Sequence, residues 1–190
     1  MKLLKPIILA SGSPRRWELL EQVGIPFETD TSEADETMGD GIKPADYVEE
    51  LSKRKAEAVA SRHPDDVILG ADTIVAFDDK ILGKPSDADE AYDMLCMLAG
   101  RTHSVYTGVT IIFPYQNIET FHVKTDVKMY DMDKKILREY TESGEPLDKA
   151  GAYGIQGKGA ILVERIDGDY SNVKGLPVAE VYRRLYSLNL

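Results

Sequence analysis

Ile7-Ile8-Leu9-Ala10-Ser11-Gly12-Ser13-Pro14-Arg15-Arg16-Trp17-Glu18-Leu19-Leu20 decides the reading of the fold. The short apolar run predicts a strand, Ser11 and Gly12 a tight polar turn, and Pro14 the first residue of a helix. Ser13 is the expected N-cap. Arg15 and Arg16 then fall in the first helical turn, where the macrodipole disfavours cations. Hydroxyls, backbone N–H groups and guanidinium groups gathered at one helix start suit a phosphate chain. The same residues also fit a capped surface helix with two solvated arginines, because the pattern is neither a Walker A nor a GxGxxG loop.

Outward from this unit, helix and strand patterns alternate. The first helix is expected over Pro14–Val23, stopped by Gly24-Ile25-Pro26, with a short segment around Phe27 and a polar, mobile loop over Thr31–Lys43. Pro44 opens a helix to about Ser61, striped by Tyr47, Val48, Leu51, Ala56, Val59 and Ala60. Val67–Ala76 reads as a central strand apolar on both faces, Phe77–Leu82 as a hairpin, and Asp89–Ala99 as a helix. Ser104–Phe113 and Ile118–Tyr130 predict a long hairpin joined by Pro114-Tyr115-Gln116-Asn117. A helix over Asp133–Thr141, a strand at Ala160–Val163 within a glycine-dense segment, and a last helix over Pro177–Leu188 complete the chain. The class is α/β, a mixed twisted sheet flanked by helices. At 190 residues the chain fits a single domain with two lobes, residues 1–190.

The net charge of −10 argues against non-specific binding to nucleic acid or an anionic membrane. A small anion held in a local basic pocket remains compatible with it. The one cysteine, Cys96, excludes an internal disulfide and is expected to be a buried structural thiol in a reducing cytoplasm. Met1–Pro6 has no extended apolar core, so it does not read as a secretory signal.

Asp72 is the sharpest single residue, since a carboxylate inside a buried strand needs a partner. It reads as a general base, a metal-facing carboxylate or a turn-satisfying acid, with Thr73 beside it as a polar contact. Lys84, in Gly83-Lys84-Pro85, follows a hairpin and precedes a helix, so its ammonium could turn toward a ligand. Of Lys53, Arg54 and Lys55 on the long helix, the spacing lets only some face inward. Gln156, in the glycine-rich Asp148–Gly157 loop, could donate to and accept from a nucleobase edge. His63, His103 and His122 have no metal-ligand spacing and read as non-catalytic, and Asp131 and Asp133 as turn and helix-start residues.

Together Ala10–Arg16, Leu51–Ala56, Gly70–Thr73, Gly83–Pro85, Thr107–Val109, Asp148–Gly157 and Ser171–Pro177 resemble the Maf family of nucleoside triphosphate pyrophosphatases. The resemblance implies a two-lobed fold with a deep cleft, related to the inosine triphosphatases. It implies hydrolysis of a nucleoside triphosphate to a monophosphate and pyrophosphate with Mg²⁺ or Mn²⁺, in a cytoplasmic protein, with a homodimer as the family suggests. Carried over by position, Asp72 is the proton acceptor and Glu33 an acidic residue aiding metal or water. Lys55 and Lys84 match the family's lysines, with Ser52 standing where the family pattern has alanine. Ser11 and Arg15, and more weakly Arg16, would hold phosphate oxygens. Asp72-Thr73 with Arg15 and Gln156 resembles the branch acting on dTTP and UTP. The alternatives are a purine pyrophosphatase acting on inosine or xanthosine triphosphate, and a non-catalytic nucleotide-binding regulator of septum formation.

Overall fold

The computed structural model describes residues 5–187 apart from 40, 79, 115 and 116. The middle of the expected Pro114–Asn117 turn, Asp79 of the hairpin, Met1–Leu4 and the Leu188 end of the last helix therefore lie outside the described residues. Seven strands form one sheet: β1 (Ile7–Leu9), β2 (Phe27–Thr29), β3 (Ile68–Phe77), β4 (Lys80–Leu82), β5 (Thr102–Ile112), β6 (Ile118–Met129) and β7 (Val163–Asp167). Their order is β2-β1-β3-β5-β6-β7, with β4 paired to β3. β1 runs parallel to both β2 and β3, whereas β3–β4 and β6–β7 are antiparallel. The sheet is mixed, as the sequence predicts. Among the described residues six α-helices accompany it: α1 (Pro14–Gln22), α2 (Pro44–Ala60), α3 (Ala88–Leu98), α4 (Lys134–Glu142), α5 (Tyr170–Lys174) and α6 (Val178–Ser187).

The chain divides into two compact units, one of Met1–Asp72, Thr107–Val123 and Gly175–Leu190, the other of Thr73–Tyr106 and Lys124–Lys174. The first unit has three layers. Ile7 and Leu9 of β1 pack with Leu19 and Leu20 of α1 and Val181 and Leu185 of α6. Ile8 and Ala10 point the other way, onto Ala56 and Val59 of α2. This alternation is the period of two expected for a strand buried on both faces. In the second unit, Val75 and Phe77 of β3 share a core with Leu95 and Leu98 of α3, Leu137 and Tyr140 of α4, and Leu162.

Four expectations change. The strand expected at Ala160–Val163 starts only at Val163, because Gly157–Leu162 coils as a 3₁₀ turn. The Glu145 carboxylate causes this by accepting from the amides of Lys158 and Gly159, which bends the chain before it can pair. Cys96 is half-buried against the core of the second unit rather than enclosed in it. Ser13 holds the N-cap position without a side-chain cap, and it is the Ser11 hydroxyl that accepts from the Ser13 amide. The glycine-dense segment, expected to hold the Ala160–Val163 strand, also contains the separate short helix α5. No helix among the described residues is long and apolar enough to cross a membrane.

Candidate active site

Asp72 ends the first unit's share of β3 and is buried. Its carboxylate accepts from Lys55 Nζ at 2.6 Å. Two glycines set that contact. A Cβ at Gly70 would lie 2.4 Å from the Ser52 carbonyl oxygen and 2.8 Å from the Ala56 Cβ. One at Gly108 on β5 would lie 2.1 Å from the Val48 carbonyl oxygen. Helix α2 therefore rests its backbone directly on the sheet at two neighbouring strands. Asp72, two residues beyond Gly70 on the same strand face, meets the side chain that follows Ser52 by three positions. Ser52 explains its own departure from the family pattern: buried, its hydroxyl lies 2.9 Å from that of Thr110 on β5.

Lys55 carries a second carboxylate, Glu36, at 3.0 Å. Burying Asp72 is tolerable because Lys55 neutralises it, whereas an unpaired buried charge would cost several kcal/mol. Glu36 stands in the loop before α2, the same loop from which the family resemblance implies Glu33. Glu33 is exposed, and its charge acts on Arg62 just past the end of α2. No periodicity orders that loop, so the sequence could not say which of its acids turns toward the lysine. Tyr47, first met only as an apolar stripe residue, lies in the field of Asp72 and Glu36. Partial burial and those two carboxylates raise its phenol above the ordinary range.

At the helix start the two arginines part company. Arg16 is buried, its Nε donating to the Gly175 carbonyl at 2.9 Å and a terminal nitrogen to the Ser11 hydroxyl at 2.8 Å. Burial lowers its pKa, the attraction of Asp72 partly offsets this, and the neighbouring Arg15 adds to the lowering. Arg16 and Ser11 thus hold the turn itself, and Trp17 Nε1 adds a donation to the Ser11 carbonyl at 3.2 Å. Arg15 is half-buried one position earlier. Arg16 responds electrostatically to Asp72, Arg15 and Glu36, which gathers helix start, strand end and acidic loop into one charged cluster.

Thr73, Lys84 and Gln156 belong to the second unit. Thr73 is half-buried on β3, Lys84 exposed on its turn and Gln156 half-buried. The Gly151 amide donates to the Gly83 carbonyl at 3.0 Å, tying the lysine turn to the loop that carries Gln156. That loop is rigidly built. Gly151 and Ala152 are both left-handed, at φ 69° and 61°, and Ala152 is fully buried despite its Cβ. Such strain persists only where surroundings over-determine it. Beyond it, the buried Tyr153 hydroxyl lies 2.7 Å from His103 Nε2, and the Gly154 amide donates to the Tyr140 hydroxyl at 3.2 Å. Burial drives the His103 pKa down to about 4, with Asp126 opposing, so the ring is neutral at pH 7.

Among the described residues no three His, Cys, Asp or Glu side chains converge as a metal site. Among the described residues of the cluster, Asp72 and Glu36, joined through Lys55, offer carboxylate oxygens. Hard carboxylate oxygens in that number fit Mg²⁺ or Mn²⁺ shared with phosphate oxygens, which is how such ions are held on nucleotides.

The chain is similar in sequence to known proteins. The chain is 51% identical over 187 residues to a dTTP/UTP pyrophosphatase from Bacillus cereus (strain G9842), covering 98% of this chain and 97% of that relative. It is 52% identical over 182 residues to a dTTP/UTP pyrophosphatase from Bacillus cytotoxicus, covering 96% and 95%. A crystal structure of a nucleoside-triphosphatase / dITP/XTP pyrophosphatase from Mycobacterium abscessus aligns over 97% of this chain and 96% of its own at 13% identity, with a TM-score of 0.47. The family described as Maf-like protein matches residues 6–188. This chain belongs to the Maf family.

Proposed function

We propose that this protein is a nucleoside triphosphate pyrophosphatase that hydrolyses dTTP and UTP to the monophosphate and pyrophosphate. The observation that carries the reading is the buried Lys55–Asp72 pair at 2.6 Å, beside arginines at a helix start. Relatives bearing that activity in their name align over 98% of the chain. The single family match across residues 6–188 supports treating both units as one functional domain.

Water attacks the α-phosphorus, and Asp72 accepts its proton. The bond from the α-phosphorus to the bridging oxygen breaks, and pyrophosphate leaves with the electron pair. Lys55 holds the Asp72 carboxylate in place before the attack. Arg15 and Lys84 are assigned to the charge that accumulates on the departing pyrophosphate, the electrostatic contribution that dominates phosphoryl chemistry. Ser11 and Arg16 keep the helix start in shape for the phosphates. Gln156 and Thr73 are assigned to the base. Asp72 and Glu36, the latter in the role first expected of Glu33, would hold a divalent cation; bound there, Mg²⁺ or Mn²⁺ supplies neutralisation of phosphate oxygens. A cytoplasmic homodimer is part of the same reading.

A nucleotide panel with product identification tests it. dTTP and UTP should turn over fastest, give pyrophosphate, and stop turning over when EDTA removes the metal. Faster hydrolysis of inosine triphosphate or 7-methyl-GTP would overturn the pyrimidine assignment. Nucleotide binding without any turnover would overturn catalysis and favour a regulator.

A further inference from the structure

Helix α2 carries more of the site than the lysine that touches Asp72. Arg54, one residue earlier, is turned away from that pair and toward the acidic loop. Its Nη1 donates to two backbone carbonyls, Thr37 at 3.0 Å and Asp35 at 3.3 Å. Those are the residues on either side of Glu36. Its Nε donates to Glu50 one helical turn back at 2.8 Å, which fixes the guanidinium plane against the helix. The loop is also fastened at its start, where Arg62 donates to the Asp30 carboxylate at 2.8 Å and to the Thr31 carbonyl at 3.3 Å. Between the two arginines the chain makes its own tight turn, with the Thr37 amide donating to Asp35 Oδ1 at 2.8 Å.

A loop without regular structure cannot by itself hold one carboxylate at a chosen point, since each residue retains backbone freedom. Glu36 nevertheless lies 3.0 Å from Lys55 Nζ while its own side chain is 64% exposed. Exposed ion pairs of this kind contribute little on their own. The grip must come from elsewhere, and Arg54 supplies it on both flanks. We propose that Arg54 is a positioning residue that presents the Glu36 carboxylate to the Lys55–Asp72 pair. A lysine in its place would have a single charged point with no planar fork, and it could not keep Glu50 and both carbonyls together.

This inference rests on the reading of Glu36 as part of the active site, and the experiment separates the two. Arg54→Gln, Glu36→Gln and the double variant are compared with the wild-type chain in dTTP hydrolysis at saturating Mg²⁺. Because misplacement of a catalytic group by about 1 Å can cost up to 10²-fold, Arg54→Gln should lower kcat roughly tenfold, with KM changing less than about threefold. In the Glu36→Gln background the same change should cost less than about twofold, because residues acting through one another are not additive. Arg54→Lys should not restore the rate. Amide hydrogen exchange in the absence of nucleotide should accelerate over residues 34–38 in Arg54→Gln and stay unchanged in β3. An equal loss in both backgrounds, full rescue by lysine, or unchanged exchange in the loop would overturn the positioning role. A wild-type chain without pyrophosphatase activity would instead overturn the function reading, and the exchange result would still decide whether Arg54 holds the loop.

Discussion

The two units place their polar groups in opposite ways. In the first, charge is drawn inward: Asp72 and Arg16 are buried, and Lys55 is wedged between two carboxylates. Close backbone packing at Gly70 and Gly108 makes this possible, so the cluster's geometry is set by helix α2 lying on the sheet. In the second, the polar groups proposed to meet substrate sit on loops, Lys84 exposed and Gln156 half-buried. Among the described residues of that unit no carboxylate is buried; Lys174 is, and so is a neutral group of His103 with Tyr153 and Tyr140 by the glycine-rich segment. The difference teaches a division of labour. Buried, paired charge suits proton transfer and phosphate chemistry, where a low-dielectric setting strengthens each interaction. A half-buried amide on a rigid loop suits reading a base edge, where discrimination comes from hydrogen bonds left made or unmade.

The comparison breaks most readily at Asp72. Asp72→Asn keeps the shape and leaves Lys55 its Glu36 partner, so the chain should fold and still bind nucleotide. Loss of a general base should lower kcat by about 10²–10⁴-fold. Steady-state kinetics alongside equilibrium binding checks this, and near-normal turnover would move the base to Glu36.

A smaller and different effect belongs to the second unit. Gln156→Ala should narrow the preference for dTTP over inosine triphosphate by about tenfold, because a polar site discriminates through the groups it would leave unpaired. The kcat for dTTP should fall less than that. If selectivity holds and only the rate drops, Gln156 serves the chemistry and the division between the units fails.

The smallest effect is on pH. His103 is held neutral, with its pKa lowered from 6.5 to about 4. The unfolded chain therefore binds a proton more readily between those values, and stability from this residue, complete above about pH 6.5, is lost as the pH falls toward 4. Protection against amide exchange, taken relative to the intrinsic rate at each pH, should be lower at pH 5 than at pH 7 around His103 and Tyr153 before it falls in α2. Earlier loss of protection in α2 would place the acid-sensitive element in the first unit.

Much of this was legible in the sequence. The β1–turn–α1 unit, the buried β3 and the hairpin of β5 and β6 carry strong local signals, and local signals were enough to place them. Asp72 stood out because a carboxylate in an apolar strand demands a partner, and Lys55 was one of three adjacent candidates. The rest depended on distant contacts. Arg15 and Arg16 differ by one position, and only the packing of Ser11 and Gly175 decides which of them is buried. Glu36 was hidden because its position comes from Arg54 across 17 residues of chain, not from its neighbours. The start of β7 moved because Glu145, a residue of another segment, captures the amides of Lys158 and Gly159. Ser52 stands where the family pattern has alanine, and its hydroxyl partner, Thr110, is 58 residues away in the chain.

The most direct test of the central claim, water delivered by Asp72 to the α-phosphorus, is hydrolysis of dTTP in ¹⁸O-labelled water with mass analysis of both products. The account requires one labelled oxygen in the monophosphate and none in the pyrophosphate. Label in the pyrophosphate, or orthophosphate with a diphosphate as first products, would place the attack at another phosphorus and contradict it.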